Sequence, residues 1–460
     1  MFAKLHSAFS RTLSKLNGSD NRVRLFRGGV ASVGLRVGSA ALTLVSTIVL
    51  ARTLGAEGYG VYAYVFAIVS LLAVPAQLGL PVLVVRETAR ADSREDRSAM
   101  KAIWTWSNRI ALVLSGIVCS IGLVGLALMS ARFSQEARIT FIFGLISIPI
   151  IALANLRSSA IQGLGRVLLG QFQEFILRPG LLSVLVLLTA FSGVAMTPFN
   201  AMGLHVLAAS AGLLFAAVAL KKVAPAAVRI HSSTPLVNRA WFASTLPLAA
   251  IAGIQLINLH VGVLIVGAVG DASDVGIYRV VMQGGTLLSL STFGIGAAMG
   301  PVFARTFVAE DWERLRVLAM FAGCGTLALT FPVAAILVTF PSQILEAAFG
   351  NDYIRGATAL SIIALGRVGA ASFGCIDTLM PMTGHERAYA FSLCVSVTIN
   401  VLLHAVLVPA LGLIGAAVSA ATSLLIWNIL LARAARKKLS IDCFVPTAAY
   451  SYIRRRGRAT

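Results

Sequence analysis

The stretch "VASVGLRVGSAALTLVSTIVLARTLGAEGYGVYAYVFAIVSLLAVPAQLGL", residues Val30–Leu80, contains two long apolar segments separated by a short turn with two glycines. Each segment, Val30–Thr53 and Tyr59–Leu80, has the length that crosses a hydrocarbon core about 30 Å thick as a helix. The rest of the 460-residue chain has the same character, because 58% of its residues are apolar, 12% are charged and the mean hydropathy is +0.86. This composition excludes a water-soluble domain and predicts an integral membrane protein.

The long apolar runs predict helical rather than β-barrel spans. Only helices and closed barrels satisfy every backbone polar group in lipid, and these runs lack the alternation that a barrel strand requires. We therefore predict an all-α transmembrane protein of about twelve helices. The ten spans that follow the opening pair are Ile110–Ser130, Ile139–Leu156, Val167–Phe191, Asn200–Leu220, Phe242–Val269, Val275–Gly300, Leu315–Phe340, Ala357–Met380, Ala388–Val408 and Leu411–Ala432.

The distribution of basic residues predicts the orientation. Of the 38 Lys and Arg residues, 30 fall on the side of the predicted spans that holds both termini, four fall on the opposite side, and four lie within spans. Cytoplasmic loops of membrane proteins carry such an excess. We expect a multi-pass protein of a bacterial inner membrane with both termini in the cytoplasm. The net charge of +20 is thus explained by the orientation of the loops and by attraction of the cytoplasmic basic residues to anionic lipid. Nucleic acid is not an expected partner.

Two halves of the sequence resemble each other weakly. Gly60 and Tyr62 after the first span correspond to Gly276 and Tyr278 after the seventh, and further short matches follow in the same order. The order predicts parallel repeats of six spans, related by a pseudo-two-fold axis normal to the membrane; chance similarity of short turns is the alternative. The predicted divisions are a basic N-terminal segment, an N-terminal six-helix bundle, a connector, a C-terminal six-helix bundle and a basic tail: 1–29, 30–220, 221–241, 242–432 and 433–460.

The short connections restrict the function. No predicted loop has room for an extramembrane catalytic domain, and the chain lacks the phosphate-loop motif and the H-E-x-x-H zinc motif. We expect a protein that is not an enzyme, with no cofactor and no metal site. A glycan polymerase or ligase is disfavoured because such enzymes usually carry a large periplasmic loop.

Residues Leu50–Arg90 resemble the opening of polysaccharide-unit flippases of the Wzx type, with a long first helix, an L-G-x-x-x-Y-G loop, a second helix and a basic segment. These proteins belong to the multidrug/oligosaccharidyl-lipid/polysaccharide (MOP) exporter superfamily. Further similarity lies in "IQGLGRVLLG", "AAFGNDYIRGATALSIIALG" and "PALGLIGAAVSAATSLL", which begin at Ile161, Ala347 and Pro409. The chain departs from several relatives in having twelve predicted spans instead of fourteen.

The resemblance implies a fold and an activity. It implies two six-helix bundles in a V around a central cavity, as in MATE-like transporters. It also implies alternating-access transport of a polyprenyl-pyrophosphate-linked oligosaccharide, the repeat unit of an exopolysaccharide or O-antigen, to the outer leaflet. An ion gradient would supply the energy, with a proton or sodium ion as the coupling ion. The expected partners are the lipid-linked oligosaccharide, membrane lipids, and polysaccharide polymerase and chain-length proteins.

Four arginines within spans are the candidate substrate-binding residues: Arg36, Arg178, Arg279 and Arg367. An arginine at mid-bilayer costs roughly 2.5 to 3.5 kcal/mol of insertion free energy. This cost indicates that an arginine at such a position has a functional role. Its planar guanidinium binds phosphate oxygens in pairs and stays charged. Arg178 and Arg367 lie deepest in their spans, whereas Arg36 and Arg279 lie near span ends, where either could reach an interface.

The other polar residues within spans have open roles. Glu174 precedes Arg178 by four residues, the spacing of an ion pair within a helix; Glu174 and Asp377 are also the candidates for ion coupling. Gln255 and Asn258 follow helical spacing on the seventh span, so they could bind sugar hydroxyls or hold helices together.

Competing functions remain open at this stage. A MATE-type drug antiporter should have an acidic cavity, whereas four arginines against two acids within the spans favour an anionic cargo. A flippase for a peptidoglycan lipid precursor would differ only in the sugar. A major-facilitator transporter lacks support because "RETARADSREDR", from Arg86, does not contain that group's G-x-x-x-D-R-x-G motif. A scaffold that transports nothing is a further alternative.

Overall fold

A computed structural model describes residues 20–128, 134–193, 195–226, 228 and 239–447. Every regular element in these ranges is helical, which confirms the all-α prediction. The first half contains α1 to α7: Asp20–Gln77, Leu80–Ser93, Arg97–Leu128, Gln135–Gly163, Val167–Phe172, Arg178–Phe191 and Pro198–Val223. The second half contains α8 to α14: Arg239–Val269, Ala272–Val308, Trp312–Thr339, Pro341–Phe349, Ala357–Ala371, Ile376–Met382 and Glu386–Leu439.

In the part of the chain that the structure describes, ten helices are long and apolar enough to cross a membrane, and two of them accommodate two predicted spans each. Helix α1 is interrupted by Gly55, which has a left-handed backbone with φ 66°. Ser39 and Phe66 would be about 40 Å apart along a straight helix, yet they line the same cavity. The chain therefore turns back at Gly55, where a side chain would strain the backbone.

Helix α14 reverses in the same way at Gly412, whose φ is 56°. Across this turn the Ser396 hydroxyl donates to the Ser423 carbonyl at 2.8 Å, a contact that a straight helix cannot make. The ten helices thus hold the twelve predicted spans.

Two predicted spans are less regular than expected. The fifth combines α5, a π-helical turn over Gln173–Leu177 and α6. The tenth is not continuous to Met380: α12 ends at Ala371 and α13 begins at Ile376, with Gly374 between them at φ 64°.

The boundaries of the predicted divisions differ slightly from the helix ends. Helix α1 begins at Asp20, inside the predicted N-terminal segment, and α14 extends to Leu439, beyond the start of the predicted tail. Residues 1–19, 229–238 and 448–460, which include most of the basic leader and just under half of the connector and of the tail, lie outside the described residues.

The two halves touch at equivalent positions. A Cβ atom added to Gly60 would lie 1.7 Å from the Ala272 carbonyl oxygen, and one added to Gly276 would lie 2.2 Å from the Ala56 carbonyl oxygen. Ala272 follows Ala56 by the same number of residues as Gly276 follows Gly60, so the two pairs are equivalent positions of the sequence repeat. Such a reciprocal contact is the signature of a two-fold axis, so the pseudo-symmetry axis passes between the two glycines.

A buried tyrosine adds a polar contact between the halves. Tyr353 is 1% exposed, and its hydroxyl donates to the carbonyls of Ala51 and Gly55 at 3.1 Å each. Arg52 donates in the reverse direction, from Nε to the Ala348 carbonyl at 2.9 Å and from a terminal nitrogen to the Ala347 carbonyl. These bonds join α1 to the segment that follows α10.

We expect Tyr353→Phe to lower the free energy of unfolding by about 1 kcal/mol, the usual net contribution of one buried hydrogen bond. Thermal unfolding of the purified protein in detergent would measure the change. The matched control is Tyr64→Phe, because the Tyr64 hydroxyl makes no hydrogen bond with the described residues. Equal melting temperatures for Tyr353→Phe and the wild type would show that this contact is not stabilising.

Candidate substrate-binding cavity

A cavity of about 170 Å³ lies mainly within the first half, between the two arms of α1, which precede and follow Gly55, and the middle of the fifth span. Polar side chains dominate its lining from one arm of α1, and Tyr59 and Tyr62 face them from the other. Helix α9 of the second half contributes one residue, Arg279. The polar and charged residues that line it are Ser39, Thr43, Ser46, Thr47, Tyr59, Tyr62, Glu174, Arg178, His205 and Arg279.

Arg178 and Arg279 reach this cavity from opposite halves of the chain. Arg178 begins α6, directly after the π-helical turn, and Arg279 lies on α9 close to Gly276. The contact of Gly276 with the Ala56 carbonyl brings α9 against α1 and so allows Arg279 to enter a first-half cavity. The Tyr59 hydroxyl lies next to the Arg279 guanidinium and the Thr47 hydroxyl. Two positive charges therefore face one cavity, whose lining also contains apolar side chains.

Glu174 lines the same cavity but does not form the predicted ion pair with Arg178 in the described part of the chain. The π-helical turn over Gln173–Leu177 separates the two residues, and a π turn changes the angular register of an α-helix. Pro179, which cannot donate a backbone hydrogen bond, follows immediately and accounts for the irregular turn. The two charges interact through space without direct contact, and both side chains line the cavity.

A row of rings extends from the cavity into the first half. Ring centres are 6.1 Å apart for Tyr59 and Tyr62, 6.2 Å for Tyr62 and Phe66, and 5.2 Å for Phe66 and His205. His205 is 5% exposed, and neither of its ring nitrogens has a hydrogen-bond partner among the described residues. His205 is therefore a polar group in the cavity wall that is free to bind a ligand or water.

Arg36 lies outside this cavity lining, near the end of the first span that is closer to the N-terminus. Its guanidinium carbon is 5.4 Å from the ring centre of Phe175 and 5.5 Å from that of Phe293. Phe175 belongs to the first half and Phe293 to α9 of the second, so Arg36 bridges the two halves by cation–π contacts.

Arg367, the arginine of α12, lies against α9. A Cβ added to Gly285 would be 3.5 Å from its Nε atom and 2.7 Å from the Cγ2 atom of Ile363, so α12 packs closely against α9 at this glycine. Gly285 is six residues, about 9 Å of helix, beyond Arg279. Arg367 forms no ion pair with a described carboxylate. Helix α9 thus carries or contacts three of the four arginines: Arg36 through Phe293, Arg279 and Arg367.

The remaining candidates lie apart from these arginines. Asn258 accepts a hydrogen bond from the Asn400 amide at 2.8 Å, a contact that holds α8 to α14, while Gln255 is exposed on α8. Asp377 lies in the first turn of α13, where its carboxylate accepts from the Thr378 backbone amide at 2.9 Å. The structure therefore brings together Glu174, Arg178 and Arg279, and it does not bring Gln255, Asn258 or Asp377 to them.

The hydroxyl groups of the cavity were not among the residues predicted from the sequence. Ser39, Thr43, Ser46 and Thr47 recur at spacings of four, three and one, which is one face of a helix. This period was a readable signal of a polar face within the first span. Tyr59, Tyr62 and His205 carry no comparable pattern and become neighbours only through the turn at Gly55.

Comparison with known proteins shows which class this architecture represents. The fold matches an inward-facing multidrug resistance MATE family transporter of the MOP superfamily with a TM-score of 0.71, at 16% identity over 87% of this chain and 94% of that chain. It matches the lipid II flippase MurJ in its inward closed conformation with a TM-score of 0.70, at 15% identity over 90% of this chain and 87% of that chain. The protein has the fold of a MOP-superfamily transporter.

The sequence comparisons define the family. The family model described as polysaccharide biosynthesis protein matches residues 25–307, more than half of the chain, and the protein belongs to this family. It is 22% identical to the stage V sporulation protein B of Bacillus subtilis (strain 168), over 89% of this chain and 83% of that protein. The chain therefore belongs to the polysaccharide biosynthesis family, and its apolar helices are those of a multi-pass membrane protein.

Proposed function

We propose that this protein translocates a polyprenyl-diphosphate-linked oligosaccharide, the repeat unit of an exopolysaccharide or O-antigen, from the cytoplasmic to the outer leaflet of a bacterial inner membrane. The observation that carries the proposal is the pair Arg178 and Arg279, which face one cavity from opposite halves with Glu174 as the single carboxylate in its lining. A diphosphate must lose water to cross the membrane, and guanidinium groups replace that hydration with charge-assisted hydrogen bonds.

The same residues argue against a cationic drug as the cargo. An organic cation would need acidic groups in the cavity to offset its charge, and two guanidiniums beside one carboxylate would repel it. A peptidoglycan lipid precursor carries the same diphosphate chemistry, and the structural similarity to MurJ supports it as the second candidate. The two candidates differ in the sugars, for which the cavity offers hydroxyls from serine, threonine and tyrosine.

Alternating access accounts for the contact between the halves. The Gly60–Gly276 contact and the bonds of Arg52 and Tyr353 close the molecule at the end that the distribution of basic residues assigns to the outside. Opening of this contact would release the cargo to the outer leaflet. Polymerase and chain-length proteins would act on the cargo after release.

A deletion strain tests the proposal. We expect loss of the gene to stop surface glycan assembly and to leave the lipid-linked repeat unit on the cytoplasmic face, because the diphosphate cannot cross unaided. Surface glycan would be quantified by gel and the lipid-linked intermediate by mass spectrometry, with the wild-type gene restored in trans as the control. Normal surface glycan together with sensitivity to cationic drugs would instead support a drug antiporter.

We also propose that Glu174 contributes to ion coupling, since it is the carboxylate that shares the cavity with the arginines. Proteoliposomes with an imposed proton or sodium gradient would measure the coupling. We expect Glu174→Gln to abolish the response to the gradient while diphosphate binding is retained. The control is Asp377→Asn, because Asp377 lies away from the cavity; a response lost only in that variant would assign coupling to Asp377. Transport that no gradient affects would remove both acids from the mechanism.

A further inference from the structure

The environment of Arg36 has a feature that the cavity itself does not explain. Its guanidinium lies over two phenylalanine rings that come from different halves, Phe175 at 5.4 Å and Phe293 at 5.5 Å. Both distances are within the range of an energetically significant cation–π contact. A packing role alone does not require a charged group between two apolar rings.

The contacts leave the donors of Arg36 available. The Arg36 side chain is exposed, and it forms no ion pair with any described carboxylate. The two rings engage the cation through their faces, whereas a guanidinium binds phosphate through the N–H groups in its own plane. The two contacts thus hold the charge in place, and the guanidinium N–H groups make no hydrogen bond with a described residue.

The backbone near Arg36 supports this arrangement. A Cβ added to Gly38 would lie 3.1 Å from the terminal methyl group of Ile176, so α1 approaches the π-helical turn closely at this level. Phe175, the neighbour of Ile176 in that turn, is thereby brought beside Arg36. Phe293 lies on α9 about 31 Å of helix from Ala272, so the Arg36 contact is far along α9 from the Gly60–Gly276 contact. We call the space between the two halves at the level of Arg36 the cleft.

We infer that Phe175 and Phe293 are positioning residues for a diphosphate, which hold Arg36 between the two halves and link anion capture to closure of the cleft near the termini. The inference rests on the proposed function. It adds to that function two positioning residues and a coupling between diphosphate binding and closure of the cleft. The second ring reaches the cation only when the halves are close together, so an anion that orders Arg36 favours the closed cleft, and closure in turn favours anion binding.

Binding of geranylgeranyl diphosphate to the full chain in lipid nanodiscs tests the inference. We expect Phe175→Leu and Phe293→Leu each to weaken binding about fivefold, because leucine keeps the apolar bulk and removes the π face. Phe175→Trp and Phe293→Trp keep the π face and should bind as the wild type does. In an Arg36→Gln background, neither leucine substitution should weaken binding further.

A distance measurement tests the link to closure. Spin labels at Ser93 and Glu310, exposed positions on the two halves at the termini end, should report a shorter separation when the diphosphate is added to the wild type. The Phe293→Leu variant should show no such shortening. All native cysteines are replaced in these samples.

The outcomes separate this inference from the proposed function. A wild type that binds the diphosphate while the leucine variants bind equally well would overturn the positioning role, and so would a leucine effect that persists in the Arg36→Gln background. A wild type that does not bind the diphosphate at all would overturn the proposed function and this inference with it.

Discussion

Replacing Arg178 with glutamine is expected to reduce translocation of the lipid-linked substrate about a hundredfold while the protein still inserts and folds. Arg178 faces the cavity that also contains Arg279, and the structure shows no ion pair that holds its charge among the described residues. Truncation of one partner in a buried charge-assisted contact costs about 2 to 5 kcal/mol, which corresponds to this loss. Translocation in proteoliposomes, at matched protein content, measures the effect.

Two controls make the Arg178 result interpretable. Arg178→Lys keeps the charge but lacks the planar fork, so its activity should fall between the wild type and the glutamine variant. Arg138→Gln removes an exposed arginine far from the cavity lining and should transport normally. Arg367→Ala should also stop transport, because its guanidinium lies against α9 with no carboxylate partner among the described residues. Full activity in Arg178→Gln would refute the cationic cavity, and full activity in Arg367→Ala would show that this arginine, which lies outside the cavity lining, is not needed for transport.

Replacing Gly60 with alanine is expected to prevent closure of the outer end and to reduce transport by a factor comparable with that of Arg178→Gln. The added Cβ would lie 1.7 Å from the Ala272 carbonyl oxygen, a backbone atom that no rotamer change can move away. Overpacking of a well-packed contact typically costs 1 to 3 kcal/mol. The outward-open state escapes this cost because its halves are apart at this point. The substitution therefore shifts the population outward.

Labelling of a cysteine in the cavity measures this shift. A cysteine is placed in the cavity wall by Thr43→Cys, and a membrane-impermeant thiol reagent is added outside. This cysteine should react at least about tenfold faster in the Gly60→Ala protein, because the clash at residue 60 raises the free energy of the closed state and so increases the population of the outward-open state. Gly276→Ala should act in the same way, because it makes the reciprocal contact. The matched control is Gly116→Ala in α3, where an added Cβ has no neighbour within 4 Å. Unchanged labelling and normal transport would place the outer gate elsewhere.

The spans and their approximate ends were predictable because hydrophobic length is a local property of the sequence. The internal repeat was also readable, and its Gly60–Gly276 correspondence became a physical contact in the structure. The interruption of the tenth span at residues 372–375 was not predicted, since its composition remains apolar there. Hydropathy reports where a segment prefers lipid and says little about how its helix is broken.

The cavity was only partly predictable. Arg178 and Arg279 stood out as charges within spans, but no local pattern shows that Arg279 of the second half completes a first-half cavity. That result depends on the close approach of α9 to α1 at Gly276. The four-residue spacing of Glu174 and Arg178 predicted an ion pair as one alternative, and the π-helical turn before Pro179 explains why the structure shows none among the described residues.

The central claim is that fixed guanidinium charges between two helical halves carry a diphosphate, and transport by the purified protein in proteoliposomes tests it most directly. Three probes with the same polyprenyl chain would be compared: a glycosyl diphosphate, a glycosyl monophosphate and an uncharged glycoside. The account predicts that transport follows the charge, fastest for the diphosphate, and that Arg178→Gln removes the difference between the probes. Equal rates for all three in the wild type, or efflux of a cationic drug in place of the lipids, would contradict it.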